Sequence, residues 1–438
     1  MKRATVTVLT LMASAACADN AADETFEQDE AALLDNADTT SISNEKPIVN
    51  LGGLGATFST QGDGTLDLTN EFHTPQGTNG RSCGTCHLPT GGWSVTPLQI
   101  EVLFRTTEGT HPIFLPADAN HPEADVSTVE ARRASYSMLR KGLFRRGGAA
   151  PATREFDIVA AEDPYGYGSV EAQRFSVFRR PLATANFHVA KNVGWDDANT
   201  RSGQTVQQGL WAQADNNVRT GQAGAAPAPE TVDAIVAYES ALSFAQVAVL
   251  GAGRLDECGA RGGARNLSQQ PFVSGRFDLF DSWRQGVASG KCASKARAQI
   301  ARGQELFNNK KNASGRTCSG CHDSQNNGSN VAGTTFDIGV SDPRWAGIDG
   351  LPIYTVRNRV TGEEIRTTDP GKANRTGKWE DMNRFKVPSL RGLTARAPFF
   401  HNGAAKTLFD VVRIYEAQLG FDFTSEEEKD LVAFMNAL

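Results

Sequence analysis

RSCGTCH, residues 81–87, is echoed 235 positions later by RTCSGCH, residues 316–322. In a C-x-x-C-H run the two thiols can each close a thioether with a haem vinyl group. The same turn aims the following histidine at the iron as proximal ligand. A single match could arise by chance; two in one chain are hard to explain otherwise, and the histidine after each pair argues against zinc or a redox dithiol. The motifs assign two covalent haem c groups, one at Cys83, Cys86 and His87, the other at Cys318, Cys321 and His322. So wide a separation requires a local fold around each.

Around the second motif the sequence reads as a small cytochrome c. SKARAQIARGQELFNN sets Ile300, Gly303, Leu306 and Phe307 on one helical face, and Gly303 lets a crossing helix approach closely. SEEEKDLVAFMNAL supplies that partner, with Ser425 and Glu428 as a capping box and Leu431, Phe434, Met435 and Leu438 at helical spacing. The first motif has a closing helix in PETVDAIVAYESAL, where Val232, Ile235, Val236, Glu239 and Leu242 lie on or beside one face. Its opening helix is poor, since Pro75 and several glycines break LDLTNEFHTPQGTNG. Strand-like alternation is scarce. The expected fold is mainly α, with two cytochrome c-like haem domains (51–250 and 294–438), long loops, and residues 251–293 between them as an insertion or linker.

The first 18 residues, MKRATVTVLTLMASAACA, have the parts of an export signal, and a periplasmic location follows. Two processing routes are open: a lipoprotein box, Ser14-Ala15-Ala16-Cys17, with Cys17 as lipid anchor, or ordinary cleavage after Ala18. The net charge of −6 is local: residues 19–46 hold nine acids and one base, while 47–438 carry no net charge. Residues 19–50 read as a disordered acidic linker, and nothing suggests nucleic-acid binding. Of the seven cysteines, Cys258 and Cys292 remain, and export favours a disulfide between them.

NVGWDD (192–197), AIVAYESAL (234–242) and FKVPSLRGLTARAPFFHNGAAKTL (385–408), added to the two motifs, resemble the bacterial di-haem cytochrome c peroxidase superfamily, which includes the MauG-type enzymes. The resemblance runs from about residue 75 to the C-terminus. It implies a peroxide-reactive N-terminal haem, a six-coordinate C-terminal haem and Trp195 as electronic bridge. It also implies a Glu and a Gln downstream of the Trp as acid-base groups. Residues 196–221 offer Gln207 and Gln208 but no Glu; His111 and His121 are the nearby histidines that could act there as acid-base groups or as a sixth ligand. Calcium between the haem domains is a further implication, held by an Asn and by carbonyls before Pro398. Arg180 stands near the position of that Asn.

Many members place a Met on the second haem, in the helix after the PFFHNG-like stretch. Here that register, fourteen residues beyond His401, holds Tyr415, as in MauG-type enzymes. TLFDVVRIYEAQLG (407–420) has Leu408, Val411, Val412 and Tyr415 on one face and Gly420 to end the helix. Met382, in a loop nearer the motif, is the rival ligand. His401 falls beside the second haem, and Arg391 is a candidate for a haem propionate. The resemblance thus implies a di-haem peroxidase or oxidase using hydrogen peroxide. Its partner is either a small cytochrome c or cupredoxin donor, or a protein or organic molecule to be oxidised. The alternative is a di-haem electron carrier without peroxide turnover.

Overall fold

Helices frame both motifs, yet strands join them. The computed structural model describes residues 40–197, 203–269, 272–273, 275–285, 288–324, 334–345 and 347–438. The export signal, Cys17 and most of the acidic stretch lie outside the described residues. Residues 39–438 form one compact unit. The chain is 34% helical and 17% strand, a mixed α/β fold with several small sheets, which corrects the mainly α expectation.

The strands escaped the pattern for two physical reasons. They are short, and the longest, Leu242–Val249, starts with five consecutive buried residues, so it has no in-out alternation. It begins where the Pro229–Ala241 helix ends and pairs antiparallel with Gly53–Ser59, Ser59 lying opposite Leu242. Phe144–Ala149 pairs with Arg174–Arg179. Phe156–Glu162 pairs with Ile353–Asn358, so one sheet draws strands from both halves of the chain.

In the C-terminal half, Lys295–Asn309 crosses Ser425–Asn436 at Gly303, where an added Cβ would lie 1.9 Å from the Asp430 carbonyl oxygen. The second helix is capped one residue earlier than the sequence suggests. TSEEE contains two overlapping boxes, and the helix uses Thr424 with Glu427. Leu255, Phe277, Phe280 and Trp283, from the stretch read as a linker, are buried in the same core as Ile300, Phe307 and Phe434. That stretch is closed by a disulfide between Cys258 and Cys292, Cα atoms 5.7 Å apart. Leu408–Leu419 is capped by Thr407 and Asp410 and stopped by Gly420 at φ 69°. In the N-terminal half, Val206–Asn216 packs on Pro229–Ala241 and runs into a π turn at Asn217–Gly221. No helix among the described residues is long and apolar enough to cross a membrane.

Gly303→Ala should therefore destabilise the fold by about 1–3 kcal/mol through overpacking, read as a lower Tm. Replacing both Cys258 and Cys292 with Ser opens a loop of 34 residues, which in the chain-entropy account removes about 3.8 kcal/mol. A denaturant midpoint unchanged by that double substitution would contradict it.

Candidate haem sites

The first motif folds as a tight turn, Cys83–Thr85, in which the Thr85 hydroxyl accepts from the Ser82 backbone N–H at 3.0 Å. Gly84 is needed there, because a Cβ would stand 2.6 Å from His73 Nδ1. The His87 N–H donates to the Cys83 carbonyl at 3.1 Å, which sets the ring just beyond the thiols. His87 Nδ1 lies 3.0 Å from the Trp93 carbonyl; donating there, it leaves Nε2 as the metal-binding nitrogen. Burial pushes His87 down to about 4, so the ring is neutral at physiological pH, the form that ligates iron.

Cys83, Cys86 and His87 line a cavity of about 960 Å³, at the upper end of the roughly 300–1,000 Å³ typical of small-molecule sites. Trp195 lines it too. Its wall is rich in cations. Arg81 and Arg146 both pair with Asp118, at 2.5 and 2.6 Å. Burial raises the Asp118 carboxyl, and Arg146 and Arg81 more than reverse that. Among the described residues, Lys386 and Arg396, both lining the cavity, hydrogen-bond to carbonyls; burial pushes them down to about 8 and about 10, with Asp197 opposing the shift at Lys386. Hydrogen bonds to carbonyls satisfy the donors without cancelling the charge, and the carboxylates of a haem would pair with it. The turn, the free Nε2 and these cations fit a covalently held haem.

One acid on the wall behaves differently. Glu239 is buried, its Oε1 has no hydrogen-bond partner, and burial pushes the carboxyl up to about 8. A carboxylate at i+4 from Ile235 and i+7 from Val232, on an apolar helical face, was the signal in the sequence. Gln207 and Gln208 are exposed, and Gln208 is engaged in the capping box with Thr205. Instead Gln213 and Asn217, at i+3 and i+7 from Leu210 on the same helical face, line the cavity. His111 and His121 do not line it; their Nδ1 atoms accept from the backbone N–H groups of Ile113 and Glu123.

Trp195 sits where the halves meet. Its indole N–H donates to the Arg180 carbonyl at 2.7 Å, and its own carbonyl accepts from Lys386 N–H at 2.8 Å. Its ring meets His401 edge-on at 6.2 Å, and His401 stacks on Phe385 at 3.8 Å. Burial pushes His401 down to about 4; its Nε2 has no hydrogen-bond partner and lies 3.8 Å from Asp369. Arg179 holds Asp369 with two bonds, 2.6 and 2.8 Å, and Asp196 with a third at 2.7 Å.

At the second motif a four-residue helix, Cys318–Cys321, carries His322, whose N–H donates to the Cys318 carbonyl at 2.9 Å. Tyr415 packs on the same apolar core as Cys318. Burial and then the Cys318 and Cys321 thiols raise its phenol above the ordinary value. Met382 belongs to a different core, with Phe156, Ile158 and Tyr354 on the shared sheet. Arg391 is buried, and burial lowers it to about 9; its guanidinium lies 5.9 Å from the Phe277 ring.

No protein-family model matches the chain. It is 31% identical over 180 residues to "Cytochrome-c peroxidase IdrP1" of Denitromonas iodatirespirans, covering 36% of this chain and 44% of the relative. It is 29% identical over 160 residues to "Cytochrome c peroxidase Ccp" of Escherichia coli K12 (36% and 28%). The identity to "Cytochrome c551 peroxidase" of Nitrosomonas europaea is 29% over 161 residues (36% and 38%). Each match spans less than half of the relative's length. These relatives are bacterial proteins named as cytochrome c peroxidases. Among solved structures, one titled as a MauG-like protein associated with microbial copper homeostasis superposes with a TM-score of 0.34 at 19% identity, covering 59% of this chain and 73% of the other. A Kuenenia stuttgartiensis hydrazine synthase does so with 0.34 at 13%, covering 76% and 88%. Scores of that size carry no argument about fold or function.

The raised Glu239 carboxyl has a consequence for stability. Its folded value, about 8, exceeds its ordinary 4.5, so the folded state binds the extra proton between those limits and loses stability as pH rises through them. Glu239→Gln should remove that part of the alkaline decline, read as a flatter Tm-against-pH curve from about pH 4.5 to 8.

Proposed function

We propose that this chain is an exported, periplasmic di-haem c-type peroxidase or oxidase, in which hydrogen peroxide is reduced in the cavity beside His87. Export with or without a lipid on Cys17 is part of the proposal. The observation that carries the reading is the meeting in one cavity of the attachment turn, the neutral His87, Trp195 and a buried carboxyl. A bound haem supplies the redox chemistry: H2O2 takes up two electrons and two protons and leaves as two waters. The chain's own residues do the rest. His87 holds the proximal position through its hydrogen bond to Trp93. Glu239, protonated at neutral pH because it is buried, can give up one of the two protons, and Gln213 and Asn217 offer amide groups to orient peroxide. Trp195, tied by hydrogen bonds to Arg180 and Lys386, is the aromatic group between this cavity and the His322 site.

The electrons come from a small cytochrome c or cupredoxin, or from a protein or organic substrate that is oxidised in turn. Tyr415 as ligand beside His322 favours the second version, because a phenolate stabilises ferric and higher iron.

Absorption and EPR spectra of the purified ferric protein test this. One high-spin and one low-spin centre, with a spectral change on adding peroxide, are expected. Two low-spin centres inert to peroxide would leave an electron carrier instead. Tyr415→Phe should alter the low-spin signal and Met382→Leu should not. Glu239→Gln should slow peroxide reduction about 10²-fold at unchanged haem content, the lower end of what a general acid contributes. A rate equal to wild type would move the proton donor elsewhere.

A further inference from the structure

The resemblance implies calcium at the junction of the two haem regions, and the residues present do not fit one. The Arg180 guanidinium is buried there, 3% exposed. It donates to three backbone oxygens: Gly142 O, Arg396 O and Ala397 O, each at 3.2 Å. Converging carbonyls of this kind are ligands for a hard cation, and here the cation is a side chain. No carboxylate among the described residues forms an ion pair with Arg180. A divalent ion at the same oxygens would meet the guanidinium charge at close range with no anion to offset it. The backbone is shaped to the group as well. Gly142 adopts φ +77°, and an added Cβ would lie 2.0 Å from Arg180 Nη1.

We infer that Arg180 is a built-in cation that replaces a metal ion at the junction and so holds Trp195 between the two regions without calcium. The oxygens it gathers come from residue 142 in the N-terminal half and from residues 396 and 397 in the C-terminal half. Its own backbone finishes the tie: its N–H donates to the His401 carbonyl at 2.6 Å, and its carbonyl accepts the Trp195 indole N–H. Arg180 is thus a positioning residue for Trp195. The inference does not depend on peroxide turnover and stands or falls separately.

The test uses the full holoprotein. In the wild type, metal analysis after gel filtration should find no stoichiometric calcium. Neither EGTA nor added calcium chloride should move the Tm or the haem absorption and EPR spectra. A bound calcium, or a spectrum that changes on chelation, overturns the inference. Arg180→Ala should lower the Tm by several degrees and shift the haem signals, and guanidinium chloride or calcium chloride at low millimolar concentration should restore them. Rescue by either cation is a response that loss of packing alone does not give, and failure of both overturns the inference. Should Arg180→Ala not accumulate with haem, the wild-type chelation result decides.

Discussion

Two adjacent arginines, buried at the end of one strand, set the constraint from which the junction follows. Neither charge can stay in the interior without partners. Arg179 takes carboxylates, Asp369 and Asp196, and Arg180 takes carbonyls. Because successive residues leave an extended chain on opposite sides, the pair addresses two networks at once. Arg179 fixes Asp369, which faces His401; Arg180 fixes the stretch before Pro398 and, through its own backbone, Trp195 and His401. Truncating Arg179 would leave two buried carboxylates without a countercharge, a penalty of several kcal/mol in comparable buried pairs. Truncating Arg180 would orphan three carbonyls, at about 1–3 kcal/mol for each one left buried and unpaired. The Trp195 indole is therefore tied to a backbone that these buried charges hold in place.

The first cavity holds buried cations under the same constraint. Among the described residues, Lys386 and Arg396 hydrogen-bond to carbonyls, and burial disfavours their charged forms, partly offset at Lys386 by Asp197. A haem brings two carboxylates, so cofactor insertion and relief of these buried charges are one event. Glu239 lies on the same wall but holds its proton, because burial penalises its charged form. One cavity thus keeps charged cations for holding a dianionic group and a neutral acid for donating a proton, a separation that comes from placement alone.

Local spacing made some of this legible in the sequence. The attachment turns, the Cys258–Cys292 disulfide, the close crossing at Gly303 and the helix around Tyr415 all depend on residues within a few turns of one another or on an unpaired remainder of two cysteines. The sheets did not show, because strands buried on both faces carry no alternation and Phe156–Glu162 finds its partner at Ile353–Asn358, far along the chain. The cavity's polar groups were half legible. The helix bearing Gln207 and Gln208 lines the cavity, but its register turns both to solvent and brings Gln213 in, which the buried Leu210 at i−3 would have indicated. Arg179 gave no local pattern, and Arg180 stood out only through the resemblance, since their partners Asp369 and Arg396 stand 190 and 216 positions away.

Tyr415 shows how burial can act as a redox filter. Packed against the apolar core, the free phenolate is disfavoured, and burial raises the phenol above its ordinary value. The phenolate becomes stable there only next to a compensating positive charge, and ferric iron offers more of it than ferrous. The same burial that keeps an uncoordinated Tyr415 neutral would thus make its coordination favour the oxidised metal, whereas a thioether, carrying no charge, gains much less from oxidation. Met382 has no such leverage, and it is packed with Phe156 and Tyr354 rather than with Cys318. As a ligand at the second attachment turn, Tyr415 would bias that site toward holding oxidising equivalents without any further charged residue.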